Sequence, residues 1–245
     1  TLVDMGVDHD LSGHPTILNR KIANGTRNFL NEPAMSQQQM LQALNTGSEL
    51  AESCHTKGCN VLCLGEMGIG NTSPSSVWMS IWGNLPLSSC VGSGSGLNTE
   101  GEKHKLAILE QAVSNFKRQP LPHNAPSTII QYFGGFEMVA AIGAMLRAAE
   151  LRMIVLVDGF IMSACMLASS KLNPSVLDYA VFGHCGDESG HRQLLALMQA
   201  QPILQLGMRL GEGTGALCAY PIIESSVRMI NEMNNFKDAN IDKYF

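Results

Sequence analysis

The chain has 245 residues, of which 45% are hydrophobic and 15% charged, and its formal net charge is −5. That balance suits a folded domain with a buried core and excludes an extended disordered chain. The acidic charge without any long basic run argues against a nucleic-acid partner. The longest apolar stretch, Met153 to Ala168, is interrupted by Asp158 and Gly159 and is too short for a membrane span.

Seven cysteines, an odd number scattered from Cys54 to Cys218, suit a reduced, cytoplasmic protein rather than a disulfide scaffold. Cys54, Cys59 and Cys63 lie close together, but no second pair follows at zinc-ligand spacing. They are expected to be buried thiols around a strand, and no metal is expected.

In chain order, Leu2 to Asn28 is polar and turn-rich and reads as loop with short helical turns. Ser36 to Ser53 reads as a helix with Ser36 as its cap. Asn60 to Gly65 is a short buried strand with Glu66 at its carboxyl end. Gly68-Ile69-Gly70-Asn71-Thr72-Ser73 then opens a helix over Pro74 to Ile81. A second Gly/Ser loop spans Ser88 to Gly101, followed by an amphipathic helix over Glu102 to Asn115. After a turn at Pro120 to Pro126, Ser127 to Phe133 leads into Gly134-Gly135 and a small-residue helix from Phe136 to Leu151. Met153 to Val157 is a strand, and Phe160 to Ser170 a helix. Val181 to His184 is a strand entering a polar loop, and His191 to Gln199 is helical. Met208 to Leu210 runs into Gly211-Glu212-Gly213-Thr214-Gly215, and a long helix runs from Ala216 towards Phe236. Strand, glycine-rich turn and helix repeat, which is the pattern of an α/β fold with a parallel sheet. Ligands of such sheets bind beyond the carboxyl ends of the strands, where Glu66, Asp158, His184 and Glu212 are placed.

Five features carry chemistry. Gly68 and Gly70 at a helix start expose backbone N–H groups that favour phosphate, with Thr72 as a capping residue on the blander reading. There is no Gly-Lys-Ser/Thr of a P-loop and no third glycine of a dinucleotide fingerprint. Glu212 sits between two glycines, where backbone can approach from both sides. Partial shielding there would raise its proton affinity and suit a general base; the alternative is a Glu that caps its own helix. Asp158 is equally suited to binding ribose hydroxyls and to anchoring a loop. His184 to His191 reads as a polar binding loop rather than a metal site. Lys105 either neutralises a phosphate or is simply solvated.

These stretches together resemble the nicotinate-nucleotide–dimethylbenzimidazole phosphoribosyltransferase family. The matching segments are Val3 to Asp10, Lys21 to Phe29, Gly65 to Thr72, Gly134-Gly135-Phe136-Glu137, Leu156 to Ile161 and Leu206 to Gly215. The resemblance implies an α/β, Rossmann-like parallel sheet flanked by helices over residues 1–215. Residues 216–245 would join a small helical domain, to which family members also contribute a segment preceding the equivalent of Val3. It implies transfer of the phosphoribosyl group of nicotinate mononucleotide to 5,6-dimethylbenzimidazole, without any cofactor, in a homodimer. Glu212 would be the base and Glu66 a second carboxylate near the ribose. Gly68, Ile69, Gly70, Asn71, Thr72 and Lys105 would hold the 5′-phosphate, with Asp158 and Gly159 near the nucleotide. Leu210, Gly211 and Gly186 complete the expected substrate contacts.

The chain departs from the family pattern twice. Gly92-Ser93-Gly94-Ser95 stands where an Arg is usual, and Gly186 and Ser189 stand where a Ser and a Pro or Lys are usual. The Gly186 backbone N–H, or Ser189, is expected to replace the missing Ser contact. The alternative reading is a truncated, catalytically weak nucleotide-binding homologue.

Overall fold

The structure, a computed structural model, describes residues 1–94 and 96–234. Its centre is a parallel sheet of three strands in the order β3-β4-β5: β3 (Val61–Cys63), β4 (Ile154–Val157) and β5 (Ala180–Phe182). Val61 pairs with Ile154, and Val155 with Ala180. β4 lies in the middle with Val155, Leu156 and Val157 buried, so its run is continuously apolar rather than alternating. β3 is only half-buried, less than its sequence suggests. Cys54 and Cys63 are likewise half-buried and Cys59 is exposed, so the expected set of buried thiols is not formed.

Helices flank this sheet: α1 (Gln37–Thr56), α2 (Thr72–Gly83), α3 (Thr99–Arg118), α4 (Pro126–Phe133), α5 (Phe136–Glu150), α6 (Phe160–Leu172), α7 (His191–Leu197) and α8 (Thr214–Glu232). Ser36 caps α1 as its sequence predicts: the Gln39 N–H donates to Ser36 Oγ at 3.1 Å, and the Ser36 N–H to Gln39 Oε1 at 2.9 Å. α1 and α5 meet backbone to backbone. A Cβ on Gly47 would lie 1.8 Å from the Ala140 carbonyl oxygen, and one on Gly143 would lie 2.0 Å from that of Leu44. Small residues in α5 therefore serve this close crossing. α6 packs on α2, α5 and α7, and places its buried face over the sheet.

Two further expectations fail. Leu2 to Asn28 is not loop with helical turns alone: β1 (Leu2–Asp4) and β2 (Ile17–Asn19) form a small parallel pair. The buried Asp4 carboxylate organises it, accepting from the N–H groups of Gly6 and Val7 at 3.0 and 2.9 Å and pairing with Lys21 at 3.2 Å. Met208 to Leu210 forms no strand: beyond the bridge of His184 with Leu204, the Asp187 N–H still donates to the Met208 carbonyl at 3.1 Å, but no ladder follows. Glu212 therefore reaches the site on an irregular segment, not from a strand end.

α8 leaves Leu217, Tyr220, Val227, Met229 and Ile230 exposed. It ends at Glu232, and Phe236, towards which it was expected to run, lies outside the described residues.

Candidate active site

The carboxyl ends of β3, β4 and β5 bring Glu66, Asp158 and His184 to one edge. The chain after Leu204 then folds back across that edge. A Cβ on Gly65 would lie 2.3 Å from the Glu212 carbonyl carbon and 2.7 Å from the Gly213 nitrogen. The two acid-bearing segments thus touch backbone to backbone, and only a glycine at 65 permits it.

Glu66 is anchored by one oxygen. Its Oε2 accepts from the Gly68 N–H at 2.7 Å and from Asn71 Nδ2. The same Asn71 nitrogen donates to Glu137 Oε1 at 3.1 Å. Burial raises the Glu66 carboxyl above its ordinary range, the bonds from Gly68 and Asn71 pull it back, and the nearby Glu137 and Asp158 push it up. The shielded carboxylate expected at 212 is therefore found at 66. Glu212 is exposed and holds a left-handed φ of 66°, which few residues other than glycine adopt.

Of its two readings, Asp158 shows the geometry of an anchor. It is 3% exposed. Its Oδ2 accepts from the Gly213 N–H at 3.1 Å and its Oδ1 from the Ala216 N–H at 2.9 Å. It caps α8 from a distant part of the chain, with each oxygen accepting one backbone N–H. Gly159 precedes α6 and faces the His184 ring: a Cβ there would stand 3.4 Å from Nε2.

Below this lies a histidine floor. The His184 ring presses on Gly215 so closely that a Cβ there would fall 1.9 Å from Cδ2. His184 Nε2 stands 3.7 Å from Asp158 Oδ1. His191 is buried and held well below the ordinary histidine value, at about 4, by burial and then by His184. Its Nδ1 accepts the Gly186 N–H at 2.9 Å, so the ring proton sits on Nε2, which faces Ser163 Oγ at 3.1 Å. The Gly186 N–H is thereby committed to His191 and does not replace a phosphate-binding serine. The loop is pinned by the buried rings of His184 and His191 at its ends, while Asp187 and Ser189 between them are exposed.

A third group gathers at the start of α2. Thr72 is the first helical residue, not the cap; Asn71 precedes it in a helical conformation with no side-chain cap bond. Thr72 Oγ1 instead accepts from Lys105 Nζ at 2.8 Å, and Lys105 also donates to the Gly92 carbonyl at 3.2 Å. Gly94 lies over both. Burial holds Lys105 below the ordinary lysine value, against the opposing pull of Glu188 and Glu102. Burial raises Glu188, opposed by Lys105 and Arg209. Lys105 is thus half-buried and aimed at a helix N-terminus, unlike a solvated lysine. The loop carrying Ser189 abuts Gly92, so the two places where the sequence departs from its family pattern are neighbours in space.

The Gly68 N–H is occupied by Glu66, which removes it from the expected phosphate donors. Ile69 is fully exposed, Leu210 is 61% exposed, and Gly211 is open to solvent beside Glu212. Gly70 has a left-handed φ of 79° that turns the chain into α2. Glu137 takes part in the site without having been singled out. An acid in the first turn of a helix is ordinarily explained by the helix dipole, and only the Asn71 contact distinguishes it.

A family model described as a phosphoribosyltransferase matches residues 1–241. The chain is similar to the nicotinate-nucleotide–dimethylbenzimidazole phosphoribosyltransferase of Bacteroides fragilis, at 56% identity over 100% of this chain and 70% of that protein. It is similar to the protein of the same name from Janthinobacterium, at 46% identity over 99% of this chain and 69% of that one. Among solved structures it resembles CobT from Thermus thermophilus, with a TM-score of 0.91 and 33% identity over 98% of this chain and 71% of that chain.

Proposed function

Because this chain belongs to the nicotinate-nucleotide–dimethylbenzimidazole phosphoribosyltransferase family, we propose that it moves the phosphoribosyl group of nicotinate mononucleotide onto 5,6-dimethylbenzimidazole. The observation that carries the site assignment is the backbone contact of Gly65 with Glu212 and Gly213, which sets two carboxylates on one edge of the sheet.

In this reading Glu212 takes the proton from one benzimidazole nitrogen, and the other nitrogen attacks C1′ of the ribose. The bond from C1′ to the nicotinate nitrogen breaks, and its electron pair leaves with nicotinate. The anomeric carbon inverts and α-ribazole 5′-phosphate forms. An exposed Glu212 suits this role, since the flat base laid over it excludes water only when bound. Glu66 offers its unanchored oxygen, Oε1, to the positive charge that develops on the ribose. Thr72 and Lys105, at the positive end of α2, suit the 5′-phosphate. No helix among the described residues is long and apolar enough to cross a membrane. Seven free thiols support a reducing, cytoplasmic setting. The exposed apolar side chains of α8 support the C-terminal segment, expected over 216–245, belonging to a small helical domain beside the catalytic residues 1–215; its last part, 235–245, lies outside the described residues. They also support a homodimer, which sedimentation velocity would read directly.

Incubation with both substrates tests the reaction. Ribazole phosphate and nicotinate are expected in equal amounts; ribose phosphate formed without the acceptor would overturn it. Glu212→Gln is expected to lower kcat by about a hundredfold to ten-thousandfold with little change in nucleotide binding. Unchanged turnover in that variant removes Glu212 from the mechanism.

A further inference from the structure

We infer that Glu137 is a positioning residue for Glu66, acting through the buried side-chain amide of Asn71 that the two carboxylates share. Asn71 is 5% exposed and has one side-chain nitrogen with two hydrogens. One goes to Glu66 Oε2 and the other to Glu137 Oε1. Ionised carboxylates only accept, so acids on both sides fix which end of the Asn71 amide faces them. Neither carboxylate can then turn without leaving an N–H of the amide unpaired in a buried place.

The packing around this bridge leaves little slack. A Cβ on Gly68 would lie 2.3 Å from Glu137 Oε1 and 2.4 Å from Asn71 Nδ2. A Cβ on Gly135 would lie 2.7 Å from both Glu137 oxygens. The glycine before α5 and the glycine before α2 thus make room for one carboxylate between the two helices. The outcome at Glu66 is directional: Oε2 is held by Gly68 and Asn71, and Oε1 is left as the atom presented to a ligand.

The bridge also couples the two charges. The ionisable groups facing Glu66 are Glu137 at the start of α5 and Asp158 after β4. Cys165 in α6 lies within the field of both Glu66 and Glu137. No cation faces Glu66 from these elements, and only the hydrogen bonds from Gly68 and Asn71 oppose the repulsion, so removing the Glu137 charge eases it.

The inference rests on the proposed reaction only for its kinetic readout. With glutamate labelled at the side-chain carboxyl carbon, NMR titration reads each carboxyl, and the Glu66 signal is assigned by its loss in Glu66→Gln. In Glu137→Gln, which keeps size and an acceptor oxygen, the Glu66 midpoint is expected to move to lower pH. An unmoved midpoint in the folded variant overturns the inference. In Glu137→Leu the amide loses its second partner, and kcat is expected to fall about tenfold while KM for the nucleotide stays within about twofold. A rise in KM with unchanged kcat would overturn the positioning role. If the Glu66 midpoint moves but the parent chain forms no ribazole phosphate, the coupling stands and the proposed reaction fails.

Discussion

The two carboxylates at the sheet edge are held by opposite means. Glu66 is fixed through its side chain, by Gly68, Asn71 and, beyond them, Glu137. Glu212 is fixed through its backbone: Asp158 holds the next N–H along the chain, Gly65 admits its carbonyl, and its side chain is free. The first arrangement sets an atom in advance and costs desolvation, which shows in the raised carboxyl of Glu66. The second places an exposed carboxylate where an incoming base can meet it. A group that stabilises a developing charge needs the former, and a group that must take a proton and later release it to water tolerates the latter.

The sharpest way to break this contrast is at their contact. Gly65→Val puts a side chain where the Glu212 backbone runs. It is expected to lower kcat on the order of a thousandfold, within the range a positioned base supplies, while far-ultraviolet circular dichroism stays that of the parent. Retained turnover would mean that Glu212 is placed by something else.

The next effect lies in the floor beneath Glu212. His191 has its folded-state value depressed to about 4 from 6.5, so the native state refuses a proton that the unfolded chain accepts. Stability is therefore full above about pH 6.5 and is lost as pH falls towards 4, by about 3 kcal/mol at one pKa unit per 1.36 kcal/mol. Urea melts between pH 7 and pH 4 measure it, and His191→Gln is expected to flatten the slope.

Asp158→Ala removes the shared cap of Gly213 and Ala216. It is expected to cost about 2 kcal/mol in thermal melts, as an unsatisfied buried helix start does. It should also lower kcat more than it weakens nucleotide binding, which distinguishes an anchor from a ribose ligand. The smallest effect is expected at Lys105→Met, with about a tenfold weaker nucleotide affinity by calorimetry and an unaltered response to the acceptor base, since one charge-assisted bond is lost.

Much of this was legible in the chain. The glycine-rich turns after Val61–Cys63 and Ile154–Val157 marked where strands end, and Ser36 announced its helix by a local rule. Asp158, by contrast, was ambiguous because an acid at a strand end looks the same whether it meets a sugar or a helix start. Gly186 reads as a free donor, because only the fold turns the His191 ring onto its N–H. Local spacing leaves Lys105 open between phosphate ligand and solvated side chain, because its partners Thr72 and Gly92 come from separate segments.

The sequence by itself determined the main helices, the three strands of the parallel α/β sheet and the family, since these follow from periodicity, turn chemistry and local motifs within short windows, whereas the β1–β2 pair did not. Tertiary structure alone decided which carboxylate is shielded and which exposed. It also decided that Asp158 caps a helix begun more than fifty residues later, and that Asn71 joins Glu66 to Glu137. Burial and hydrogen-bond partnership are properties of the space around a side chain, and that space is filled by residues distant in the chain.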